Sequence, residues 1–354
     1  MEPETSAPST PSIPAPKAPM SVATLGLFVF VASMLGTLAV IAIGVNVAGL
    51  NLPKLAARAA PPPSTAATQP VAAAPGASAP SAAADAVVAA PPRFAPPDAR
   101  KIPDTEMGAV IRAGEQIFLR TGLNAKAFVG NSLNCVNCHL DAGRLAGSAP
   151  MWGAYPLYPA YRAKTRHVDS FAERLRGCFI YSMNGKAPPE GSDVLVALEA
   201  YSYWMATGAP VGARLPGSGY KKLVKPPQVP DFSRGQAVYE SKCALCHGAD
   251  GQGQRSGEMQ VFPPLWGPQS FNWGAGMHQV DNATAFIKAN MPLGQGGTLS
   301  DQEAWDVATF MNSHERPQDP RFNGNVSDTR KKFHDSEFSL YGQTVNGKLL
   351  GTGR

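Results

Sequence analysis

The sequence predicts a mainly α protein, with two small helical domains in tandem behind an apolar N-terminal span, and three observations lead there. The pentapeptide Cys-x-x-Cys-His occurs twice, at Cys135–His139 and Cys243–His247, 108 residues apart. Around each copy, a short stretch with helical spacing of its apolar residues comes before and a longer one after. An uncharged run of thirty-six residues between Lys17 and Lys54 stands in front of both.

Taken in order, residues 1–20 read as a polar leader and residues 21–50 as a membrane span. About 20 apolar residues at ~1.5 Å rise cross a bilayer, and the apolar centre Val22–Leu50 is longer than the ~7–15 residues of a signal h-region. An uncleaved anchor is therefore expected, although the small-residue string Ala56–Ala60 resembles a cleavage site. Residues 51–100 form a tether. Twenty-five of the forty residues 61–100 are Ala or Pro, which bury little and favour extended polyproline conformation. The low overall charge, 16% against a usual ~25%, belongs to this region. From residue 101 onward 26 basic and 22 acidic side chains are interspersed, which excludes a nucleic-acid binder with a clustered basic face. Five cysteines are too few for a disulfide scaffold.

Each CxxCH motif points to a covalently attached haem c. Cys135 and Cys138, or Cys243 and Cys246, form thioethers to the two vinyl groups, and His139 or His247 becomes the proximal iron ligand. A four-cysteine zinc site is the competing reading, and it leaves both histidines unexplained. Covalent haem attachment occurs outside the cytoplasm. The haem-bearing part is thus expected on the periplasmic face of the inner membrane, with the N-terminus cytoplasmic, where flanking charge alone is indecisive.

The first domain is expected over 101–225, opened by a helix at Gly108–Arg120 and closed by one at Asp193–Ala206 with Leu195, Leu198, Tyr201, Tyr203 and Trp204 as its stripe. The second spans 226–320, after three prolines in Pro226–Pro230. Its helices fall at Ser233–Glu240 and Asp301–Ser313, the latter opened by a Ser300/Glu303 capping box. Residues 321–354 form a C-terminal extension. First and last helices crossing over a haem resemble the class I cytochrome c fold.

The sixth ligands decide function. For the second haem the candidate is Met291, 44 residues after His247 and followed by Pro292, with Met259, Met277 and Met311 as rivals. For the first it is Cys178, 39 residues after His139, with Met183 and His167 as rivals. A free thiol outside the cytoplasm tends to be sequestered or used, and a thiolate ligand would lower that haem's potential. A basic stretch, Arg162, Lys164, Arg166, His167, Arg174 and Arg176, precedes Cys178, opposed only by Asp169 and Glu173.

The string Gly177-Cys-Phe-x-x-Ser-Met-Asn-Gly185, the second CxxCHGxxGxG, the run Phe262–His278 and the tail from Arg316 to Gly351 resemble the dihaem thiosulfate dehydrogenase (tetrathionate synthase) family of c-type cytochromes. The resemblance covers nearly everything from about residue 101. It implies two haems, oxidation of thiosulfate to tetrathionate, His/Cys ligation through Cys178, and contacts of Arg174 and Ser182 with the sulfur oxyanion. An acceptor cytochrome or other periplasmic redox protein would take the electrons. Asn290 stands where some members carry a lysine that takes the second iron instead. Two thiosulfate dianions must be brought together against repulsion, so a cationic pocket is needed, and the basic stretch with Lys164 and Arg166 is the expected source. A tethered electron carrier without substrate chemistry, and the same site running as a tetrathionate reductase, remain as alternatives. The mature protein is expected to have the mass of the whole chain plus two haems. Mass spectrometry showing a chain roughly sixty residues shorter would establish cleavage after the Ala-rich string.

Overall fold

Main-chain approach at glycine sets the architecture. In a computed structural model, which describes residues 93–257 and 259–353, helix α1 (Glu106–Leu119) crosses α3 (Asp193–Met205) where Gly114 faces Ala197. A Cβ on Gly114 would lie 2.0 Å from the Ala197 carbonyl oxygen. The same device recurs where α4 (Phe232–Lys242) crosses α6 (Asp301–Asn312): a Cβ on Gly235 would lie 2.1 Å from the Asp306 oxygen. An aromatic residue follows each glycine by four positions, Phe118 and Tyr239, and both are buried.

These four helices are those expected from the sequence, with ends moved by a few residues. Thr105 caps α1 by accepting from the Gly108 amide, Asp231 caps α4 through Arg234 N, and the Ser300/Glu303 capping box opens α6. The buried Asp306 carboxylate ties α6 to the start of α4, accepting from Asp231 N at 2.8 Å and Arg234 Nε at 2.8 Å. In α3, Leu195, Leu198, Tyr201 and Trp204 are buried, but Tyr203 is 67% exposed. At 100° per residue it turns away from the stripe.

Three further helices complete the set of those eight residues or longer among the described residues: α2 (Phe171–Tyr181), α5 (Val280–Asn290) and α7 (Val326–Phe333). Three small antiparallel hairpins accompany them, including β1 (Ala160–Arg162) with β2 (His167–Asp169). A hydrophobic core runs continuously through both halves, from Ile111, Phe118 and Tyr201 to Tyr239, Trp305 and Phe310. The C-terminal segment packs through Tyr341 and Leu350 onto Trp273. The leader, the 21–50 span and most of the tether lie outside the described residues. Among the described residues no helix is long and apolar enough to cross a membrane.

Gly114→Val and Gly235→Val each drive a branched side chain into a main-chain carbonyl that cannot rotate away. Each is expected to cost at least ~3 kcal/mol in denaturant unfolding.

Candidate functional site

The first CxxCH folds into the wall of a cavity of about 550 Å³ lined by Cys135, Cys138 and His139. His139 Nδ1 lies 2.6 Å from the Ala149 carbonyl and donates to it, which leaves Nε2 as the lone-pair nitrogen. Burial lowers the ring's pKa and keeps it neutral, the state in which imidazole ligates iron. A second cavity, about 300 Å³, is lined by Cys243, Cys246 and His247. Here His247 Nδ1 donates to the Pro263 carbonyl at 3.0 Å, and burial again lowers the pKa. The two CxxC pairs thus serve different cavities and do not form one four-cysteine site. Among the described residues no three His, Cys, Asp or Glu side chains converge as a metal-ion cluster.

Helix α2 brings the second set of functional groups to the first cavity. Its own capping box, Ser170 with Glu173, fixes where it starts, so Arg174, Cys178 and Ser182 fall four residues apart on one face. All three line the cavity. Arg174 Nη1 donates to Cys178 Sγ at 2.9 Å, and the sulfur is the largest cause of the rise in the arginine's pKa. Met183 lines the same cavity as a thioether rival. His167 does not; it lies exposed on β2 with Nε2 3.3 Å from Asp169.

The expected basic cluster divides. Arg162 lines the cavity beside Arg174. Lys164 stands just outside its lining, with the ammonium donating to the Gly274 carbonyl and lying 3.5 Å from the Tyr181 ring centroid. Desolvation, then the charges of Arg321 and Arg174, lower its pKa to about 7. Arg166 is a correction to the expected pocket. It occupies the hairpin turn with φ 60°, and its guanidinium reaches outward to the Lys332 carbonyl at 3.3 Å. Arg176 is held by Glu190 at 2.6 Å. A cation that the sequence reading did not single out, Arg214, joins the lining from the loop after α3. A lone arginine in a Gly/Pro-rich loop carries no spacing signal.

Met291 lines the second cavity in extended conformation directly after α5, its amide held by Ile287 O. Met277 and Met311 line it as well, while the side chain of Met259 lies outside the described set. Leu133, Cys138, Phe271 and Met277 face both cavities, so a wall one side chain thick separates them.

Residues 230–311 match the family described as cytochrome c oxidase, cbb3-type, subunit III. The chain is 60% identical over 259 residues to the thiosulfate dehydrogenase of Thiomonas intermedia, covering 73% of this chain and 82% of that protein. Against the thiosulfate dehydrogenase of Stutzerimonas stutzeri it is 55% identical over 262 residues, with 73% and 85% covered. The chain belongs to the thiosulfate dehydrogenase family. A solved structure of the thiosulfate dehydrogenase TsdBA from Marichromatium purpuratum superposes with a TM-score of 0.72 at 50% identity, covering 74% of this chain and 58% of that one.

As a thiosulfate dehydrogenase family member the chain is a haem c protein, and its own residues fit that group. Each cavity offers a pair of thiols for thioether bonds, and each histidine has its second nitrogen already committed to a carbonyl. Burial pushes the Cys138 thiol up to about 11, as befits a sulfur set in an apolar pocket wall.

Proposed function

We propose that the chain is a thiosulfate dehydrogenase that joins two thiosulfates into tetrathionate at the first cavity and passes the two electrons released through two haems to an external acceptor. The observation that carries this reading is the Arg174 to Cys178 contact of 2.9 Å inside a cavity that also holds a CxxCH histidine. An electron carrier has no need of a desolvated arginine on a ligand-grade sulfur.

His139 and Cys178 would hold the first haem iron, and His247 and Met291 the second. When bound, each haem accepts one electron, the thiolate-ligated one at the lower potential. The chain's own part is to bind and orient two dianions. Arg174 presents a forked donor to a sulfonate while steadying the Cys178 sulfur, and Ser182, one turn on, adds a hydroxyl donor. Arg162 and Arg214 add positive charge to the same lining, and Lys164 contributes from just behind it. Together they offset the repulsion between two dianions in a partly desolvated space. Tethered through 51–100 to a span at 21–50, this machinery would work at the periplasmic face of the inner membrane.

Thiosulfate added to the as-isolated protein is expected to reduce its haem absorption bands, and absence of reduction rejects the assignment. Cys178→Gly is expected to abolish turnover and remove a low-spin, thiolate-type EPR signal. Persistence of that signal would exclude Cys178 as ligand.

Lys164 gives the reaction a pH dependence. Its pKa is lowered to about 7, so the ammonium is charged below that value and neutral above it. The KM for thiosulfate is expected to rise about two- to threefold between pH 6 and pH 8, Lys164 being exposed to solvent on one side. In Lys164→Arg, which stays charged, the profile should flatten; an unchanged slope would remove Lys164 from the binding field.

A further inference from the structure

Behind the wall between the two cavities lies a cation that substrate binding does not use. Arg316 is 2% exposed, with its guanidinium carbon 4.3 Å from the Phe271 ring centroid and 5.1 Å from that of the buried Trp273. Phe271 faces both cavities. The donors of Arg316 go to Met311 O at 3.2 Å, Asn312 Oδ1 at 3.0 Å and Leu265 O at 3.4 Å. Met311 and Leu265 line the second cavity only.

No carboxylate forms an ion pair with it among the described residues. Glu315, adjacent in the chain, is turned to Trp273 Nε1 at 3.0 Å and Thr352 N at 3.0 Å. The Nε of Arg316 is buried with no hydrogen-bond partner. Burial lowers its pKa to about 9, which still leaves it charged at neutral pH. The Glu315 charge opposes that shift without touching the guanidinium. A buried cation with no contacting carboxylate and an orphaned N–H is costly, and a neutral side chain could tie the end of α6 to the Leu265 loop at lower cost. The charge is the feature that calls for a role.

We propose that Arg316 is a positioning residue for electron transfer, a fixed positive charge that raises the electron affinity of the second haem further above that of the first and so biases electrons toward the exit. This rests on the two-haem part of the reading above. A nearby cation favours whichever state carries one more electron. Its hydrogen bonds run to the lining of the second cavity, so the second haem feels it more. At an effective dielectric of ~20, a unit charge roughly 10 Å away shifts a single one-electron equilibrium by about tenfold, and the partition between the haems moves by the difference between their two shares.

The test is a chemical redox titration of both haems in the full holoprotein without thiosulfate, comparing the parent with Arg316→Met and Arg316→Lys. In Arg316→Met the second haem's potential is expected to fall by ~59 mV, about tenfold for a one-electron couple, and the first haem's by less, so that the electron-partition constant falls more than about threefold. Arg316→Lys keeps the charge but loses the fork, and should stay within about threefold of the parent. Both variants lose hydrogen bonds and should melt earlier, so a purely structural role would move both alike. An unchanged gap in Arg316→Met, or a drop in Arg316→Lys as large as in Arg316→Met, overturns the proposal. Should Arg316→Met fail to take up haem, Arg316→Gln serves as the uncharged variant under the same criteria. If thiosulfate fails to reduce the parent, the catalytic reading falls while the Arg316 effect is still measured. A haem count of one per chain would remove the two-haem basis itself.

Discussion

The contact between main chains at Gly114 and Ala197, and again at Gly235 and Asp306, is the constraint on which the other features rest. With no side chain between them the helices meet at their backbones, and the aromatic residue one turn later, Phe118 or Tyr239, is carried inward against the cavity. Phe118 lines the first and Tyr239 the second. Tyr239 then fixes its own CxxCH loop by donating to the Gly248 carbonyl at 2.6 Å. Helix crossing, aromatic placement and histidine orientation thus follow from one another. A bulkier residue at either crossing would displace a whole cavity wall, beyond a local change in packing.

Electrostatics divides the chain's cations by what surrounds them. Arg166 and Arg176 belong to the same sequence cluster as Arg174, yet one meets a surface carbonyl and the other Glu190. Their fields are screened by water. Arg174 meets a sulfur in a cavity, and Arg316 meets two aromatic faces and carbonyl oxygens. In such surroundings a unit charge is screened several-fold less than in bulk water. Position relative to solvent, more than charge count, decides which arginines can act on thiosulfate or on an electron.

Much of this was legible beforehand because haem attachment demands a fixed local spacing. The two CxxCH motifs and the four crossing helices announce themselves by intervals along the chain, and the string around Cys178 by its family resemblance. Helix α2 itself carried a readable start, Ser170 with Glu173, that the motif reading passed over. The direction of Arg166 was not legible, because a left-handed residue in a hairpin turn reverses which way a side chain points. Neither were Arg214 and Arg316, which come to the cavities through tertiary packing of loops with no periodic pattern. Phe271 stood within a recognisable run, but nothing in that run told that it would face two cavities at once.

The shared wall also bears on how the protein comes to be assembled. Leu133, Val136, Asn137, Cys138 and Leu140, all from the first CxxCH segment, form part of the lining of the second cavity. The later half of the chain therefore does not own a complete pocket; one side of it is supplied by residues made more than a hundred positions earlier. Severed from the first half, it would present that apolar opening to water. Closure of the second pocket therefore depends on the first half being in place, which couples the packing of the two halves, unlike beads on a string.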